Sequence, residues 1–221
     1  LLIITHPGMT LVAHLHYLPS ASYFVAWLDQ PRVVLEAHAN FVKQTSASRC
    51  YIRLADKVAR LSVPVQHAPT KQAVSEVRLC YRERWPDIHW RSLASAYGKA
   101  PYFEYFADAF RAAIGRKHET LWALNEELLT ICRQLLQLNP QIVRSETYHQ
   151  AYPAGFIDVR GQEVPPNGLP SGGPSYRQVF GSEFVNNLSI ADLLFCEGPH
   201  ATSYLRQLQT WLNKRPERQV P

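Results

Sequence analysis

Apolar residues fall in short unbroken runs along the first third of the chain and in steps of three and four along the second half. Residues 11–15 (LVAHL) are mostly apolar without clean alternation, the pattern of a strand buried on both faces. After Pro19, Tyr23, Phe24, Trp27 and Leu28 recur at helical spacing in the segment Ser20–Gln30, with Ser20 or Ser22 placed to cap its start. Arg32–His38 reads as a second strand, so the three pieces predict a β-α-β unit with parallel strands and a right-handed crossover. Cys50–Leu54 and Ala59–Val65 have period two and flank Ala55-Asp56-Lys57, a hairpin whose turn lacks glycine. Val74–Tyr81 is expected to form a further strand, with Val77 and Leu79 on one face.

The second half changes period. Trp90–Tyr97 and Tyr102–Ile114 are amphipathic, interrupted by Gly98 and Pro101 and closed by Gly115. In His118–Leu138, Leu121, Leu124, Leu128, Ile131, Leu135 and Leu138 make one apolar face, and Pro140 stops the helix. Gln141–Tyr148 is expected to return to the sheet. Residues 151–175 hold five prolines and five glycines and are expected to be a loop, with the character of a lid. Ile190–Phe195 and Ala201–Leu212 predict two last helices before a charged tail. The expectation is one α/β domain over 1–221, with a small mixed or parallel sheet. It divides into a sheet-rich part (1–82), a helical block (83–140), the loop and the C-terminal helices (187–213).

Composition narrows the partners. A chain of 221 residues that is 46% hydrophobic can bury one substantial core. Its net charge of +5 favours an anionic small molecule, phosphorylated or carrier-linked. The Lys and Arg residues are scattered, with no dense basic run, which argues against nucleic acid. No apolar stretch approaches the ~20 residues that span a bilayer. The opening LLII is cut off by Thr5-His6-Pro7, too early for a secretory signal. Cys50, Cys80, Cys132 and Cys196 form no C-x-x-C pair, so they are expected to be reduced thiols of a cytoplasmic protein. P-loop, dinucleotide, α/β-hydrolase and zincin signatures are absent from the sequence, and no cofactor is expected. Oligomeric state is left open.

Several blocks in order, YLPSASYF (17–24), VVLEAHANFVKQ (33–44), RCYI (49–52), LSVPV (61–65), HWRSLASAYGKAPYFEYFAD (89–108), YRQVF (176–180) and NLSIADLLFCEGP (187–199), make the chain resemble the WbqC-like family over roughly residues 11–212. The resemblance, to a family whose members are largely uncharacterised, implies a bacterial enzyme linked to surface-polysaccharide (O-antigen) biosynthesis that transfers acyl or aminoacyl groups in making modified sugars. One departure stands out. Where the family tends to carry a bulky-basic-Asn run, this chain has Ser46-Ala47-Ser48. Asp56-Lys57 likewise replaces the usual glycine-containing turn.

Against that background the chemistry-bearing residues form four groups. His14 and His16 share a face at the end of the first strand, as do Glu36 and His38 at the end of the second. Open α/β sheets bind ligands at such ends. Imidazole is the side chain suited to proton transfer near neutral pH, which makes His38 a candidate with Glu36 beside it, and the four side chains together could ligate a divalent metal. Lys43, Gln44 and Arg49 can clamp phosphate or carboxylate, and Tyr17 sits in the first matching block. Cys50 alternates with Ile52 and Leu54 on an apolar face, which favours a core thiol over a nucleophile activated by Arg49. His89, Arg91, Tyr97 and Lys99 make the third group. Asp87 could cap the helix, and His89 in its first turn would be kept neutral by the helix field, as a general base requires. Asp158 and Arg160, between Gly155 and Gly161, are either a ligand-closing pair or an exposed salt bridge. Ser189 is a capping candidate with Asp192 three residues on. The leading expectation is an acyl or aminoacyl transferase with His38 or His89 as base. The alternatives are a metal-dependent hydrolase or lyase and a non-catalytic binding protein.

Overall fold

A computed structural model describes residues 8–67 and 71–214. The LLII run and the charged tail lie outside the described residues.

The apolar runs form a four-stranded parallel sheet. β1 (Thr10–His14) pairs with β2 (Arg32–Glu36) in a register that ends at His14 opposite Glu36. β5 (Gln141–Arg144) lies on the far side of β2, and β6 (Phe156–Asp158) on the far side of β1. Leu11, Val12, Ala13, Val33, Val34 and Leu35 are all buried, which is why these strands carry no polar alternation. The order is β5-β2-β1-β6, so the chain winds away from β1 in one direction through β2 and β5, then returns to its other side at β6. That reversal leaves a crevice at the carboxyl ends of β1 and β6, where open α/β sheets seat ligands.

β6 lies within the stretch expected to be a loop. Three residues suffice, because Thr10, Leu11 and Val12 present a free parallel edge and the Val159 N–H continues the pairing to the Val12 carbonyl at 2.9 Å. The hairpin is present as β3 (Arg49–Arg53) and β4 (Val58–Ser62), a separate two-stranded sheet. Val74–Tyr81 is not a strand. It opens with a 3₁₀ turn (Val74–Glu76), and its backbone then pairs alternately with residues 64–66 and 119–121 through isolated bridges.

The first crossover helix is also shorter than its spacing predicts. α1 (Ala21–Val25) gives way to tight turns, with Trp27 and Leu28 donating to Phe24 and Val25. Neither serine caps it. The Ala21 and Ser22 N–H groups donate instead to the Leu188 carbonyl (3.1 Å) and Asn187 Oδ1 (2.9 Å), stitching the C-terminal half onto the sheet. Phe24, Trp27 and Leu28 still reach the core at 0–1% exposure, each burial contributing roughly 1.5–3 kcal/mol.

The helical half follows the leucine pattern, with shifted ends. α2 (Trp85–Tyr97) begins five residues early because Pro86 fits the first turn, where its missing N–H costs nothing. Asp87 lies inside that turn and accepts from Arg84 Nε at 2.9 Å, so it is not the cap. α3 (Phe103–Gly115) packs on α2. α4 (Leu121–Leu135) starts where Thr120 accepts the Ala123 N–H. α5 (Ile190–Glu197) is capped by Ser189. α6 (Ala201–Asn213) packs against α1.

Candidate functional site

At the carboxyl end of β2, Glu36 is fully buried. Its Oε1 accepts from the His38 N–H (2.8 Å) and the Ser145 hydroxyl (2.9 Å), its Oε2 from Arg160 Nη1 (3.2 Å). Arg160, just past β6, uses all five of its N–H groups. Nε and Nη2 hold Asp158 at 2.9 and 2.6 Å, while the remaining bonds go to Glu36 and to the His149 and Gln150 carbonyls. Its guanidinium lies 5.3 and 5.0 Å from the ring centroids of Tyr148 and Tyr152. Partial burial opposes ionisation of Asp158, but its bonds from Arg160 hold its carboxyl below the usual range. The pair is a salt bridge with one buried partner: Asp158 is exposed, while Arg160 at 8% exposure cross-ties β2, β6 and the 145–150 segment.

Above this network lies a cavity of about 370 Å³ whose walls include His14, Phe41, Ala47, Arg160 and Glu163. His14 closes β1 and is half-buried. Burial, then the neighbouring Arg160 charge, push its pKa below 6.5 against the opposing pull of Glu36, Glu163 and Asp158. At neutral pH it is an uncharged imidazole able to accept a proton. His16 is more deeply placed, its ring 4.9 Å from that of Tyr23, and burial with the nearby His14 push its pKa down to about 3.

A second cavity, of about 220 Å³, adjoins the first and is lined by Arg49, Tyr51, Ser20, Ser22 and Gln162 among others. His16 and Glu163 line both cavities. The Ser46 N–H donates to the Glu163 carboxylate at 3.2 and 3.3 Å, at the wall between them. Arg49 donates once, from Nη1 to the Gln44 carbonyl at 3.1 Å.

The other expected residues lie elsewhere. His38, Lys43 and Gln44 are exposed on the 37–48 segment and line neither cavity. Tyr17 and His89 meet in the core, hydroxyl to Nδ1 at 2.8 Å. His89 is the fifth residue of α2, beyond its first turn, and burial rather than the helix field pushes its pKa down to about 4, despite a bond to the Ser62 backbone that favours its charge. Tyr97 is fully buried and accepts from the Arg53 N–H, while Lys99 is exposed. Cys50 is a core thiol whose pKa burial pushes up. The metal arrangement of His14, His16, Glu36 and His38 does not form. Glu36 is sealed by its own hydrogen bonds while His38 is exposed, and among the described residues no three His, Cys, Asp or Glu side chains gather as a metal site.

A sequence-family model described as the WbqC-like protein family matches residues 15–155. The chain belongs to that family. No curated protein and no solved structure matches it.

The WbqC-like match covers the strand-end turns of β1 and β2 and the hairpin, and stops before Arg160 and Glu163. Those two are the least legible site residues in the sequence. Asp158 and Arg160 stand out as a pair between glycines, but Glu163 carries no signal beyond its charge in a Pro/Gly-rich stretch. The apolar run Phe156-Ile157 next to Asp158 is the one clue that this stretch rejoins the sheet. Ser46-Ala47-Ser48, the expected departure from the family, borders both cavities. Ser46 lines the smaller cavity, Ala47 the larger, and Ser48 is buried beneath, its carbonyl holding the Val63 N–H.

Proposed function

We propose that this WbqC-like protein is a biosynthetic transferase that moves an acyl or aminoacyl group onto the amine of an anionic small molecule, an amino-sugar nucleotide or a related substrate. The observation that carries this reading is His14. It is an imidazole kept neutral by burial and by Arg160, on the wall of a 370 Å³ cavity at the sheet's reversal point. A neutral base within reach of an amine is what attack on an activated carbonyl needs. As the C–N bond forms, His14 takes the amine proton, and the leaving group departs with the electrons of its bond to the carbonyl carbon.

Arg49 supplies the anion contact, by a planar guanidinium suited to carboxylate or phosphate, with Lys43 and Gln44 on the exposed segment beside it. Glu36 acts at one remove, by fixing Arg160. His14 takes the role expected of His38 or His89, because neither of those lines either of these two cavities. Family membership supports a place in surface-polysaccharide biosynthesis, and the cytoplasm holds the sugar nucleotides such a reaction would use.

The test is mass spectrometry of purified protein incubated with UDP-glucosamine-type amino-sugar nucleotides or small amines and a panel of acyl and aminoacyl thioesters. Amide product with release of thiol is expected, at least ~100-fold slower in His14→Gln. Undiminished turnover in His14→Gln, or no product across the panel, overturns the reading.

A further inference from the structure

The smaller cavity is lined by one positive and one negative side chain. Arg49 stands on one wall with a single hydrogen bond, to the Gln44 carbonyl. Glu163 stands on the wall shared with the His14 cavity, its carboxylate held by the Ser46 N–H. Among the described residues no ion pair joins Arg49 to Glu163, although each lines the same cavity. Two oppositely charged residues that line one small space without pairing with each other, Arg49 part-buried and Glu163 exposed at its mouth, suit a ligand that carries both charges itself. The hydroxyls of Ser20 and Ser22, bonded to each other at 3.1 Å, add neutral hydrogen-bonding groups, and Leu18, Pro19, Ala26 and Val164 supply apolar wall.

We infer that this cavity binds a small zwitterion of the α-amino-acid class, with its carboxylate on Arg49 and its ammonium on Glu163. Size decides between the amine-bearing substrates named above. At about 220 Å³ the cavity is below the ~300 Å³ at which sites for drug-sized ligands begin, so a nucleotide does not fit inside it, while an amino acid does. Orientation follows from the shared wall. Glu163 also faces the larger cavity and acts on His14 electrostatically, favouring its protonated form. An ammonium on Glu163 is therefore presented on the His14 side, and Arg49 keeps the carboxylate away from it. This deepens the transferase reading by naming its acceptor, but the binding it describes is measurable without any turnover.

Isothermal titration calorimetry of the intact protein tests it with free alanine, serine and leucine, their N-acetyl derivatives, their amides, and UDP-glucosamine. Saturable binding of at least one free amino acid is expected, weakened 10-fold or more by N-acetylation and by amidation separately. Arg49→Gln should abolish the penalty of amidation and Glu163→Gln that of acetylation, whereas His14→Gln should bind within about twofold of the parent. Loss of turnover in His14→Gln with binding kept separates the two readings. The inference is overturned if no free amino acid binds saturably, or if the derivatives bind the parent protein as well as the free acids do. It is also overturned if UDP-glucosamine alone binds and loses affinity in Arg49→Gln, or if both charge variants, melting cooperatively, keep the original penalties.

Discussion

Two arginines flank the strand-end site and do opposite work. Arg160 is 8% exposed and spends every N–H on protein, two acidic side chains and two carbonyls included. Arg49 is only part-buried and makes one bond, to a backbone carbonyl. A guanidinium with no donor left over is part of the scaffold, because binding a ligand would first require breaking bonds to Glu36 or Asp158. A guanidinium with most of its donors uncommitted, on the wall of a cavity, is available to an anion. Charge alone does not distinguish a structural arginine from a binding one; the count of its committed hydrogen bonds does.

The widest separation between the two comes from stability. Arg160→Met should cost ~3–5 kcal/mol in urea unfolding, since it strands the Glu36 carboxylate in the interior. Arg160→Lys should recover little of this, because three rotatable donors cannot replace a planar set of five. A cost below about 1 kcal/mol would show that Glu36 finds other partners and that the network is not the frame of the site. Next in size is His14→Gln, in which turnover should fall by at least ~100-fold while the melting temperature stays close to that of the parent. Arg49→Ala comes third. It should weaken an anionic substrate by roughly 10–100-fold, the worth of a charge-assisted hydrogen bond, and move unfolding by no more than about 0.5 kcal/mol; a large stability loss would make Arg49 a second Arg160.

The smallest effect is in pH. Burial and Arg160 hold the His14 pKa below 6.5, so the neutral form that the proposed base requires is present above that pKa and is lost as pH falls through it. Glu163 opposes the downward shift, and Glu163→Gln should therefore move the acid limb of the rate profile to still lower pH. An acid limb that moves upward would mean that Glu163 does not act on His14.

Much of the frame is legible in the amino-acid pattern. The short apolar runs at 11–13 and 33–35 read as strands covered on both faces, and the leucine spacing between 121 and 135 as one face of a helix. Alternation also places Cys50 in the core. What is not legible depends on partners distant in sequence. β6 is three residues among prolines and glycines, and exists because β1 has an open edge. Val74–Tyr81 has strand composition but meets no continuous strand beside it. Arg160 resembles a surface residue until Glu36, 124 positions away, is found beneath it. Both strand ends carry histidine, His14 and His16 at one and His38 at the other. The fold separates them, because Glu36 and Ala37 are tied down by Ser145 while His14 borders the cavity left where the sheet reverses.

For His14 to act as the base, it must be neutral and in contact with whatever fills the larger cavity. Proton NMR titration of the histidine ring signals reads both directly, with the His14 resonance assigned by its loss in His14→Gln and the titration repeated with saturating amino-sugar nucleotide and amino acid. A His14 pKa below 6.5, with a signal that shifts when these ligands are added, is the expected result. A pKa at or above 6.5 together with a signal that no ligand moves would contradict it.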